Sequence, residues 1–133
     1  MSTSEEKDFG TFEEFWPYYV CAHSNKTNRK LHFIGTSLGM ASALGGVLLR
    51  RKLLLFLAPV FGYAFAWVGH FGFEKNKPAS FSHPIWSFRA DFVMWKKILD
   101  GTMDAEVERF LSNDVPMHET SANGATSADA TAN

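Results

Sequence analysis

Residues 31–49 read LHFIGTSLGMASALGGVLL, residues 50–52 read RRK, and residues 53–73 read LLLFLAPVFGYAFAWVGHFGF. Apart from His32 and His70, the only formal charges from Leu31 to Phe73 are Arg50, Arg51 and Lys52. A bilayer core of about 30 Å is crossed by roughly 20 apolar helical residues. Each run is long enough for one span, and the basic triplet marks the turn between them. The pattern predicts an all-α fold built on a membrane helical hairpin of two spans. A buried hairpin in a soluble protein has the same hydropathy. A chain of 133 residues has little material left to cover two such helices on every side.

Flanking amphipathic helices are expected on both sides. Residues 1–10 are polar and acidic, predict a flexible N-terminus and carry no secretory leader. Thr11 and Glu14 fit a capping box. Phe12, Phe15, Trp16 and Tyr19 then recur at helical spacing as far as about Ala22, with Pro17 expected to kink or interrupt the helix. Residues 24–28, SNKTN, form a polar break, and Thr27 or Asn28 is expected to start the first span. Residues 74–78 close the second span. Pro84 suits the first turn of another helix, in which Ile85, Phe88, Phe92, Trp95 and Leu99 share a face. Asp100-Gly101 ends it, and Thr102–Leu111 predicts one more short helix. Residues 11–111 thus form one membrane-embedded domain, followed by a disordered polar tail over 112–133.

The net charge of −1 gives no basis for nucleic-acid binding. The single cysteine, Cys21, excludes an internal disulfide and most thiolate metal sites. The histidines carry more information. An antiparallel hairpin sets the start of its first helix beside the end of its second, so His32 and His70 share one membrane face, opposite Arg50, Arg51 and Lys52. Small residues are favoured where membrane helices meet. Gly35, Gly39 and Ala43 follow His32 at helical spacing, and Ala58, Gly62 and Ala66 lead to His70, so these stripes are the expected contact faces. His23 can fold over His32, and Glu74 lies one turn beyond His70. Three imidazoles and a carboxylate suit Fe(II), Zn(II) or a similar ion. His83 reads as a loop or capping residue, and His118 in the tail as irrelevant. Lys26, Arg29, Lys30, Lys75 and Lys77 outnumber the basic residues of the turn. The cluster face is therefore expected in the cytoplasm.

Two segments, FWPYYVCAHSNKTNRKLH (15–32) and WVGHFGFEKNKPA (67–79), resemble the 2-hydroxy fatty acid dioxygenase family from about Phe12 to Lys97. The second motif, W-V-G-H-x-x-F-E-K-x-x-P-A, is specific. The resemblance implies a membrane enzyme dependent on Fe(2+) that uses O2 to shorten a 2-hydroxy fatty acid by one carbon. The family's ligands map onto His23, His32, His70 and Glu74. Fungal members reside in the endoplasmic reticulum and act in phytosphingosine breakdown. With two spans rather than four, this chain resembles the compact bacterial form, which implies the bacterial inner membrane, or the endoplasmic reticulum in a eukaryote. The substrate's hydroxyl and carboxylate are expected to chelate the metal, with the acyl chain in the bilayer. Arg29 or Arg89 is the candidate partner for the carboxylate. Two other readings stand beside this one: a non-catalytic membrane protein stabilised by its polar cluster, and a haem protein with His32 and His70 as axial ligands.

Overall fold

The computed structural model describes residues 8–113 of the chain. Residues 1–7 and 114–133, including His118 and most of the expected flexible start and polar tail, lie outside the described residues. The described residues are all-helical. The order is α1 (Phe12–Cys21), α2 (Lys26–Leu48), α3 (Lys52–Trp67), a π-helix (Val68–Glu74), a 3-10 turn (Ala79–Phe81), α4 (Pro84–Leu99) and α5 (Met103–Asn113).

Thr11 caps α1 through its side chain on the Glu14 amide, and Pro17 is accommodated within the helix rather than ending it. The cap of α2 is Asn25, two or three residues before the expected start. Its extended backbone lets the side-chain oxygen accept from the amides of Thr27 and Asn28. The turn after α2 is a Schellman motif. Arg50 takes a left-handed conformation with φ 52°, its amide donates to Val47, and the Arg51 amide donates to Gly46. Glycine usually fills that position. Arginine here accepts a left-handed cost on the order of 1 kcal/mol and puts charge at the hairpin tip.

The expected hairpin is present: α2 packs along α3, and with the π-helix the second arm runs Lys52–Glu74. Both arms are long and apolar enough to cross a membrane, and only 22% and 17% of their apolar windows are buried. A soluble core helix is mostly buried. Here Leu44, Val47, Leu48, Leu53 and Phe56 stand exposed around the hairpin tip.

The contact face departs from the expected stripe on α3. A Cβ on Gly35 would lie 2.8 Å from the Phe65 Cβ, one on Gly39 would lie 2.9 Å from the Ala58 carbonyl oxygen, and one on Gly46 would lie 2.7 Å from the Leu55 side chain. Ser42 donates to the Leu54 carbonyl at 2.7 Å. Gly62, expected at the contact, has nothing within 4 Å of its Cβ position. The α3 surface that meets α2 is Leu55, Ala58, Phe61 and Phe65 with the Gly62 carbonyl at its edge, rotated from the Ala58–Gly62–Ala66 stripe. Close approach needs space on only one of two helices, and α2 supplies it.

The buried hydrophobic core lies at the other end of the hairpin. Phe12, Phe15, Trp16, Tyr19 and Val20 of α1 pack with Ala90 and Met94 of α4 and Met103 and Val107 of α5. The Trp16 indole donates to Glu106 at 2.8 Å, and Lys97 pairs with Glu106 at 3.3 Å. This aromatic cap closes over the ends of the hairpin where His32 and His70 lie.

Gly39→Leu should overpack the α2–α3 contact and lower stability by about 1–3 kcal/mol. Thermal unfolding of purified protein, compared with an exposed Leu44→Ala control, checks it.

Candidate metal centre

Each histidine arrives from a different element. His23 stands in the loop between α1 and α2, His32 in the second turn of α2, and His70 in the π-helix. All three are buried, at 1%, 6% and 1% exposure. Their rings are nearly perpendicular in pairs, with centroids 4.6 Å (His23–His32), 4.5 Å (His23–His70) and 5.1 Å (His32–His70) apart. One nitrogen from each lies within 4.8 Å of the others, so the three can hold a metal ion.

The outward nitrogens fix the chemistry of the inward ones. His23 Nδ1 lies 2.6 Å from the Tyr19 carbonyl oxygen. A carbonyl only accepts, so Nδ1 carries the proton. His70 Nδ1 lies 2.7 Å from the Asn76 side-chain oxygen, and the Asn76 amide nitrogen donates to the Ala22 carbonyl at 3.1 Å, which sets the orientation of the carboxamide. His32 Nδ1 lies 3.3 Å from an Asp91 carboxylate oxygen. With each Nδ1 turned to its own acceptor, the opposite nitrogen of each ring is left for the shared site. His23 Nε2 and His32 Nε2 are only 3.2 Å apart. Two lone pairs at that distance repel unless a cation lies between them. The spacing suits two ligands each about 2.1 Å from one ion at neighbouring coordination positions. The donor set fits a divalent transition metal bound by neutral imidazoles. Burial pushes the His23 pKa well below the ordinary histidine value, and His32 and His70 beside it act in the same direction. The ring is thus neutral and ready to ligate at neutral pH.

The π-helix matters to this geometry. Its wider turn, with i→i+5 hydrogen bonds, places His70 inward and ends on Lys75 at φ 59°, whose amide bonds back to the His70 carbonyl. That left-handed residue turns the chain so that Asn76 reaches back to His70. The preceding Gly69 lies directly against the Asn28 side chain, where no Cβ fits.

The remaining sequence candidates occupy other places. Glu74 accepts from the Asn25 amide and, at 3.3 Å, from the Ser24 hydroxyl, linking the π-helix to the loop that carries His23. It is not in the cluster of convergent histidines. Arg29 is buried and donates to the carbonyls of His23 and Ser24 at 2.9 and 2.6 Å and to Asp104 at 2.8 Å. It anchors the His23 loop to α5. Arg89 sits over the Phe12 ring at 4.2 Å. His83 caps α4 among Phe9, Phe15 and Tyr18. Sequence reasoning missed Asp91, Asn76 and Tyr19. Tyr19 stacks on His23 at 4.0 Å and its hydroxyl donates to Asp91; burial first, and then the Asp91 charge, push the phenol's pKa well up. The one available signal was Asp91, a carboxylate within the apolar-faced α4.

The sequence profile of a family described as "2-hydroxy-palmitic acid dioxygenase Mpo1-like" matches residues 9–103. Searches of curated proteins and of solved structures return no significant match.

Asp91→Asn should weaken divalent-metal binding about 10–100-fold, the usual effect of removing a partner that orients a ligand. Glu74→Gln should fall in the same range if it acts only through the loop, whereas His23→Ala, His32→Ala and His70→Ala should abolish binding. Competition against a chromophoric chelator measures each, with His83→Ala expected to match wild type.

Proposed function

We propose, from the premise that this chain belongs to the 2-hydroxy-palmitic acid dioxygenase Mpo1-like family, that it is a membrane-embedded Fe(2+)-dependent dioxygenase that shortens 2-hydroxy fatty acids by one carbon. The observation that carries the reading is the convergence of one ring nitrogen from each of the buried His23, His32 and His70. His23, His32 and His70 would hold the iron, which would supply the redox chemistry between the 2-hydroxy acid and O2. The reaction balances as 2-hydroxy acid plus O2 giving the one-carbon-shorter acid, CO2 and water.

The protein's own residues have distinct tasks. Tyr19, Asp91 and Asn76 hold each imidazole in the Nε2-ligating tautomer. Three neutral ligands leave the ion's two positive charges uncompensated, and Asp91 and Glu74 bring carboxylates close by. Glu74 is thereby a positioning group for the His23 loop. The aromatic cap of α1 and α4 limits water around the reacting atoms. The exposed apolar surface of both hairpin arms supports two spans in lipid. The basic residues at the cluster end favour its placement in the cytoplasm. The ring geometry speaks against the haem reading. His32 and His70 have centroids only 5.1 Å apart, and His23 lies against both, which leaves no slot for a porphyrin plane.

Protein purified without oxygen and loaded with Fe(II) should bind one iron per chain, show no Soret band, and consume O2 in step with loss of 2-hydroxypalmitate. His70→Ala should lose both iron and O2 uptake. Iron-loaded wild type that never consumes O2 with any 2-hydroxy fatty acid would remove the assigned reaction. A cysteine placed at Arg51 should label only from the face opposite the cytoplasm.

A further inference from the structure

A cavity of about 350 Å³ joins the three histidines to the space between α2, α3 and α4. Its walls change character along its length. Tyr19 and Asp91, which touch His23 and His32, mark the histidine end, with Ser87 one turn from Asp91; Gly39 and Ala43 lie two and three turns beyond His32, and Gly62 and Ala58 two and three turns before His70. Ala43 lies eleven residues beyond His32 in the same helix, which places it about 16 Å away at 1.5 Å per residue. The slot is therefore polar at one end, apolar at the other, and about as long as an extended chain of a dozen carbons, each bond of 1.52 Å advancing about 1.25 Å.

Two details point to a ligand. The Ser87 hydroxyl is buried, lines the cavity and has no hydrogen-bond partner. Buried hydroxyls are normally paired, so this one is available to a bound polar group. It lies four residues before Asp91, hence on the same face of α4. Gly62 also lines the cavity, and its Cβ position is empty space. Its missing side chain thus makes room in the cavity, while its backbone carbonyl, 3.4 Å from the Gly35 Cβ position, meets α2. Gly62 is eight residues before His70, about 12 Å from it along the arm.

We infer that this cavity is the acyl-chain slot of the enzyme, with Ser87 binding the polar head beside the histidines and Gly62 setting how long a chain fits. The inference rests on the proposed reaction and replaces the expectation that the acyl chain lies in the bilayer. The chain runs from the histidine end past Ala66 and Gly62 towards Ala43. Each methylene taken out of water strengthens binding about fourfold, so chain length is read strongly by the depth available.

The test is anaerobic binding of radiolabelled 2-hydroxypalmitate and 2-hydroxyoctanoate to the full-length iron-loaded protein in detergent. Gly62→Leu should weaken the long acid roughly tenfold or more, with the short acid within about twofold. Gly62→Ala should give a smaller shift of the same sign and provides the reading if the leucine variant is unstable. Ala64→Leu, on the exposed side of α3, is the control and should change neither. Ser87→Ala should weaken both acids by the same factor, roughly five- to tenfold. Loss that is equal for both chain lengths in the Gly62 variants, or no loss at all, overturns the slot. Length-dependent binding by a wild type that never consumes O2 sustains the slot and overturns the reaction instead.

Discussion

Three buried imidazoles turned towards one another can hold a metal ion between them. In this chain they are aimed by commitments made on the other side of each ring. A backbone carbonyl of α1, a carboxamide just beyond the π-helix and a carboxylate of α4 each claim an Nδ1. The two closest Nε2 atoms then face each other at 3.2 Å. Much of the rest of the fold serves those commitments. The hairpin brings His32 beside His70, α1 delivers the Tyr19 carbonyl, and α4 delivers Asp91. Arg29 fixes the loop of His23 by capping its carbonyls and tying it to α5.

The location of the centre follows from solvation. A divalent ion in the middle of a bilayer carries a heavy desolvation cost. At the end of the hairpin, carboxylates and a polar loop are within reach, while an aromatic cap still limits water. Asp104 illustrates the balance. It is largely exposed, and its hydrogen bond from Arg29 holds its carboxyl below the usual range. It thereby offsets a buried guanidinium whose positive charge would otherwise oppose a metal next to His23.

The hairpin and its histidines were legible because they depend on patterns of one dimension. Uninterrupted apolar runs set helix length, and an antiparallel turn sets which ends meet. His32 and His70 come together for those reasons alone, and His23 is near because it lies in the short loop before α2. The Asn25 cap, the π-helix and the partners of the three rings were not legible. A π turn has no composition signature of its own, and it alters the angular offset between His70 and Glu74 that α-helical spacing assumes. Asp91 is fifty-nine residues from His32 and reads as one more charge on an amphipathic helix until α4 is docked.

The small residues show where sequence periodicity loses its meaning. Gly39 and Gly62 look alike in the sequence: each sits in an apolar helix within a stripe of alanines and glycines. At Gly39 the missing side chain admits the Ala58 carbonyl of the neighbouring helix, whereas at Gly62 it leaves open volume facing the cavity. The difference is a rotation of α3 about its axis, which the contacts of Leu55, Ala58, Phe61 and Phe65 determine. Packing energy selects the first glycine, because any larger residue separates the helices. Nothing in the packing requires the second to lack a side chain, since nothing lies within 4 Å of its Cβ position. A side-chain position that the fold leaves open, on the wall of a cavity that ends at three histidines, is free to be set by what enters that cavity.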